Sequence, residues 1–188
     1  MLRKPFRLFL LLLLLVGGYW VYGRLTAVDP ANLPPQIAEE SPEARLAALR
    51  RITLEQAARP ESASESVEIQ HLLVSFSDPE SADSPDLSER SQQAAEQLAA
   101  DLFSQARAGE DFDDLVLRYT DDSPPGIFRL ASDLDTLDPD LAQDAVARAD
   151  FYAGLGDVSW RLEVGQVGVA CYSPSASPLG WHLIKRLR

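Results

Sequence analysis

The chain has 188 residues and a formal net charge of −12, with 29 acidic and 17 basic side chains, two histidines and a single cysteine. This length supports one well-packed core, and the lone cysteine rules out an internal disulfide. The acidic balance is a poor match for nucleic acid, whose phosphates demand a basic footprint.

Arg3, Lys4 and Arg7 precede an uncharged run over residues 8–23, which closes at Arg24. As a helix, a run of sixteen residues covers about 24 Å, short of the roughly 30 Å hydrocarbon core of a bilayer. Two readings follow. In one, the run is a signal anchor, with Arg7 and Arg24 snorkelling and Tyr19, Trp20 and Tyr22 forming an aromatic girdle. In the other, it is a cleaved signal peptide, although Leu25 is bulky where a cleavage site wants a small residue. The anchor is preferred, because the aromatics and Arg24 come before any cleavage site. Residues 1–26 are therefore expected to form one transmembrane helix in the inner membrane, with the N-terminus cytoplasmic and the rest of the chain periplasmic. That outer part carries all 29 acidic residues against 13 of the 17 basic ones.

Residues 27–66 read as a spacer. Pro30, Pro34 and Pro35 mark irregular chain, and Ser41-Pro42-Glu43-Ala44 then starts a helix over about 42–58, with Ser41 as N-cap and Pro42 in its first turn. Leu46, Leu49, Ile52 and Leu54 give it a narrow apolar stripe that suits packing on the following domain or on a partner. Residues 60–66 form a second linker, and the folded domain is expected over 67–188.

Within that domain, residues 67–76 (V-E-I-Q-H-L-L-V-S-F) predict a buried strand carrying His71. A polar loop over 78–87 leads into a long amphipathic helix over 88–107, with Ala94, Leu98, Leu102 and Phe103 on one face, flanked by Ala95, Ala99 and Ala106. Gly109 stops it, and Asp111 opens a short acidic-first helix to Tyr119. Residues 121–126 (D-D-S-P-P-G) are a turn and 127–130 a brief strand. Pro139 begins another helix, broken at Gly154 or Gly156 and running to Leu162. Gly165 precedes a strand over 167–172, in which Cys171 is a small buried apolar residue. A loop at 174–178 returns into a last strand over 181–187, which holds His182. The order β-α-α-β-α-β-β implies an α+β domain with helices over a mainly antiparallel sheet. The two histidines, on its first and last strands, become candidate neighbours. The alternative for each is a core histidine with its hydrogen bonds satisfied.

Five segments in this order resemble the parvulin-type peptidyl-prolyl cis-trans isomerases, or rotamases. They are I-Q-H-L-L-V at 69–74, A-G-E-D-F-D-D-L at 108–115, Y-T-D-D-S at 119–123, L-E-V-G-Q-V at 162–167 and G-W-H-L-I-K at 180–185. The resemblance covers residues 67–188. It implies a parvulin-like fold and isomerisation of X-Pro bonds in unfolded or partly folded exported polypeptides, with no cofactor and no metal.

By the same resemblance, His71 and His182 are the paired histidines of the sheet and Asp122 stands where the family has cysteine or aspartate. Ser177 takes the place of a threonine that hydrogen-bonds the pair. Phe128, Phe151 and Leu155 match the apolar socket for the proline ring, and Trp160 matches an aromatic better suited to the core. One departure concerns the loop: residues 125–129 (P-G-I-F-R) keep one glycine and put Arg129 where a second is usual. Arg129 is expected beside the socket, favouring an acidic or uncharged residue before proline. The departure keeps open a catalytically weak chaperone or scaffold that uses the same groove. A hydrolase built on His71, His182 and Asp122 is the poorer reading, for lack of a motif-borne nucleophile.

Overall fold

The computed structural model describes residues 27–29, 33–77, 88–122 and 126–188, Gln36 without its side chain. The run at 8–23 lies outside the described residues, and no described helix is long and apolar enough to cross a membrane.

A short helix α1 (Pro35–Ala38) and the longer α2 (Pro42–Ala57) lead into strand β1 (Ser66–Ser75), followed by α3 (Gln92–Arg107), α4 (Phe112–Tyr119) and β2 (Ile127–Ala131). After β2 come α5 (Pro139–Ala142), β3 (Ala145–Ala147), a 3-10 turn (Arg148–Asp150), α6 (Ala153–Arg161), β4 (Val167–Ala170) and β5 (Gly180–Arg186). The five strands form one sheet in the order β3-β2-β1-β5-β4. Only β2 and β3 run parallel; the other pairs are antiparallel.

Side chains alternate across a strand, so the sheet carries two different cores. One face presents Leu72, Val74, Val169, Trp181 and Leu183 to Leu98, Leu102 and Phe103 of α3, to Phe112 and Leu115 of α4 and to Leu49 of α2. The other gathers Val67, Ile69, Leu130, Ala170 and Ile184 under Leu155 and Trp160 of α6. In β1, residues 66–70 alternate between half-buried and buried, whereas residues 71–75 are buried throughout. The change falls where α3 and α4 come to cover the strand.

Helix starts follow local chemistry. Ser41 and Ser91 each accept a hydrogen bond from the backbone N–H three residues on, and Asp111 does so two residues on, satisfying donors that a first turn leaves open. Ser91→Ala is expected to cost about 1 kcal/mol, read as a lower urea midpoint at unchanged slope. Helix α2 belongs to the packed unit. Its Leu49 is fully buried, its Arg45 pairs with Asp101 of α3 at 2.7 Å, and its Thr53 hydroxyl lies 3.4 Å from the Cys171 thiol.

The single broken helix expected from Pro139 to Leu162 is corrected by the structure to α5, β3, a 3-10 turn and α6. Ala145-Val146-Ala147 has helix-compatible composition, but backbone pairing with the edge of β2 outweighs that weak propensity. Nor do Gly154 and Gly156 break a helix, since both lie inside α6. Gly180 opens β5 at φ +144, where an added Cβ would strike the Val74 carbonyl. Only glycine fits that crossing, which lets β5 lie along β1 and aligns the two histidine-bearing strands.

Candidate active site

The register of β1 against β5 sets Leu73 opposite His182 and His71 opposite Ile184. His71 and His182 are thus diagonal neighbours on the face that α6 covers, with ring centroids 5.6 Å apart. They anchor a run of five aromatic rings. Phe151 meets Phe128 at 5.3 Å, Phe128 meets His71 at 5.2 Å, and His182 meets Tyr152 at 6.1 Å. Phe128, Phe151 and Tyr152 are half-buried, and the histidines lie deeper, at 5 % and 2 % exposure. Leu155 is fully buried and packs under this row as support. Trp160 is core, as expected, and its indole N–H donates to the Ser64 carbonyl.

Asp122 reaches the row through a pinned loop. Beyond α4, the Thr120 hydroxyl oxygen accepts from the N–H groups of Leu73 and Asp122, at 3.1 Å and 3.2 Å. The Asp121 N–H donates to the Leu73 carbonyl at 2.9 Å. The Asp121 carboxylate accepts from the Ser75 N–H and hydroxyl at 2.8 Å and 2.9 Å and is ion-paired with the buried Arg90. Fixed in this way along β1, the loop brings Asp122 Oδ2 to 3.1 Å from His71 Nε2. Family resemblance marks Asp122 but not Thr120, Asp121, Ser75, Arg90 or Tyr152. Thr120 and Asp121 stand beside it in the 119–123 segment and Ser75 on the 67–76 strand, while nothing in the local sequence signals Arg90 or Tyr152.

The remaining expected residues fall elsewhere. Arg129 is not in the socket: β2 alternation turns Phe128 toward His71 and Arg129 to the opposite face, where it pairs with Glu68 at 2.9 Å. Ser177 is fully buried, but its hydroxyl has no hydrogen-bond partner among the described residues, and so makes no bond to either histidine. A hydrolase would need such a nucleophile-to-base contact. Pro125 lies outside the described residues, while Gly126 sits against the Phe128 ring, where an added Cβ would be 3.2 Å from it.

The electrostatics favour a neutral His182. Burial, reinforced by the neighbouring His71 and partly offset by Asp122, pushes the His182 pKa down to about 3. Neither of its ring nitrogens has a partner among the described residues, and the same holds for His71 Nδ1. Burial and the Asp122 charge push the Tyr152 phenol up. Unpaired buried polar atoms cost roughly 1–3 kcal/mol each and concentrate where function requires them. The arrangement therefore combines an apolar wall, a neutral His182 beneath it and one carboxylate at the rim.

Residues 52–186 match the family model of the PPIC-type PPIASE domain, a span that begins inside α2 and ends on the last residue of β5. No curated protein matches the chain.

Proposed function

This chain belongs to the PPIC-type PPIase family, the parvulin-like rotamases, and from that premise we propose that it isomerises X-Pro bonds in unfolded or partly folded polypeptides at the His71–His182 row. The observation that carries the proposal is the row itself: Phe151 and Phe128 form an apolar wall running directly into two buried histidines, with Asp122 at its rim.

The barrier to rotation is amide resonance, about 20 kcal/mol, and no covalent bond need break to cross it. What a catalyst must do is hold the twisted amide more tightly than either planar form. In our reading, the proline ring packs on Phe128 and Phe151, held up from below by Leu155, and the bond turns above a dry floor. Twisting removes conjugation and leaves the amide nitrogen more basic and the carbonyl less polar. A floor that is uncharged, as His182 is with its pKa near 3, does not favour the more polar planar amide. Asp122 acts through its field and by orienting His71, with no nucleophilic role.

Two-dimensional exchange NMR on a peptide with one X-Pro bond, with the full chain added in catalytic amounts, tests the proposal. Faster cis-trans exchange is expected. Unchanged exchange at stoichiometric protein would leave the chaperone reading, in which the same wall holds chains without turning them.

The setting we propose is the outer face of the inner membrane, with residues 8–23 as a single-pass anchor and the acidic domain in the periplasm. The basic cluster at Arg3, Lys4 and Arg7 supports this orientation, as does the aromatic exit at Tyr19, Trp20 and Tyr22. Retention in the membrane pellet after carbonate extraction is expected. A soluble mature protein beginning near Val28 would overturn it.

A further inference from the structure

A second concave site lies on the other side of α6 from the histidine row. It is a cavity of about 340 Å³ between α2, α6, β4 and residues 173–177. Gln56 is 3 % exposed and lines this cavity with neither amide atom hydrogen-bonded among the described residues. Ser177 lines it too, and its buried hydroxyl is likewise unpartnered. These three unpartnered polar atoms are buried behind the cavity lining, Gln56 Oε1 against Gly168, and each carries its own desolvation cost, more than a packed core tolerates without reason. The rest of the lining includes small or apolar side chains, among them Ala57, Val158 and Ala170.

We propose that this cavity is a second peptide-binding site, taking one apolar residue of a client chain whose peptide group pairs with the Gln56 amide as that side chain turns from Gly168 into the cavity. A side-chain amide offers one acceptor and two donors side by side, the complement of a backbone C=O and N–H. The apolar lining receives the client's side chain, and the Ser177 hydroxyl serves a neighbouring carbonyl. The site adjoins the isomerisation site through the start of α6, where Gly154 lines the cavity while Tyr152, just before the helix, belongs to the histidine row and Leu155 packs beneath it. Gly154 also donates its N–H to the Ala176 carbonyl at 2.9 Å, and an added Cβ there would collide with the Ser177 hydroxyl, so this turn and residues 173–177 are locked together. A long client bound here as well as at the row gains in effective concentration over a short peptide. The polypeptide nature of the ligand rests on the isomerase reading; the binding itself is measured without catalysis.

The test uses the full chain and N-acetyl-leucine N-methylamide as probe, followed by amide NMR titration and by the rate of alkylation of Cys171, a residue of the cavity lining. Saturable shifts at Thr53, Gln56 and Ala57 and slower alkylation are expected. Gln56→Leu should weaken binding at least tenfold. Ala57→Trp, at an exposed position on the cavity lining, should abolish it while leaving isomerisation of a tetrapeptide unchanged. An absence of saturable shifts would assign the unpartnered atoms to water and overturn the proposal, as would probe affinity unaltered by both substitutions. Loss of isomerase activity in the unmodified protein, with probe binding intact, would remove the proposed function and keep the site.

Discussion

Replacing Asp121 with alanine is expected to destabilise the protein by about 3–5 kcal/mol, the usual consequence of removing one partner from a buried ion pair. The Arg90 and Asp121 side chains are 5 % and 3 % exposed, so the guanidinium left behind would be a desolvated charge without its counter-ion. The same substitution strips the Ser75 N–H and hydroxyl of their acceptor. Its effect extends to the site, because Asp121 fixes the loop that presents Asp122 to His71. Urea unfolding of the full chain should show a much lower midpoint at similar slope. Where folded protein remains, isomerase activity should fall as well. Asp121→Asn, which keeps the shape and one acceptor, should recover part of both. A loss under 1 kcal/mol for Asp121→Ala would mean that the pair is solvated in solution and does not pin the loop.

The second large effect is on stability against pH. His182 titrates near 3 in the folded chain and near 6.5 in the unfolded one, mainly because burial penalises its charged form. Between these values the unfolded chain binds a proton that the folded chain refuses. The stability contributed by neutral His182 is therefore complete above about pH 6.5 and is lost as pH falls toward 3. The limiting slope is about 1.4 kcal/mol per pH unit. His71 and Asp122 face the same ring with opposing influence, the first lowering its pKa and the second raising it. His182→Gln keeps a neutral polar side chain and removes the titration. Its stability profile between pH 6.5 and 4 should be flatter than the parent's by up to one proton. Parallel profiles would show that His182 is not the group responsible.

Much of this architecture is legible in the chain, for reasons that can be stated residue by residue. Val67 to Val74 and Trp181 to Ile184 have a β-branched, aromatic and aliphatic content that announces buried strands, and glycine at 180 marks the entry to the second. The spacing of Leu98, Leu102 and Phe103 announces the α3 stripe. Strand β3 was not legible, because Ala-Val-Ala has no pattern of its own and is a strand only through its pairing with β2. Arg90 and Asp121 read as surface charges until the fold brings them together across 31 residues. Arg129 is the instructive case. Period-two alternation, applied to the two residues from Phe128, excludes both from one socket, yet comparison with the family's loop placed Arg129 there. Loop correspondence carries position along the chain and not the direction of a side chain.

The central claim is that the aromatic wall over the histidine pair turns the X-Pro bond. Phe151 is the residue that isolates it. The side chain is half-buried, lies in the short segment between the 3-10 turn and α6, and meets Phe128 at 5.3 Å. The decisive measurement is kcat/KM for a single X-Pro peptide by exchange NMR, comparing the full chain with Phe151→Ala and with thermal midpoints recorded alongside. The account predicts at least a tenfold fall in kcat/KM, about 1.4 kcal/mol of transition-state stabilisation, with the midpoint little changed. Equal kcat/KM in the two proteins, both folded, would contradict it.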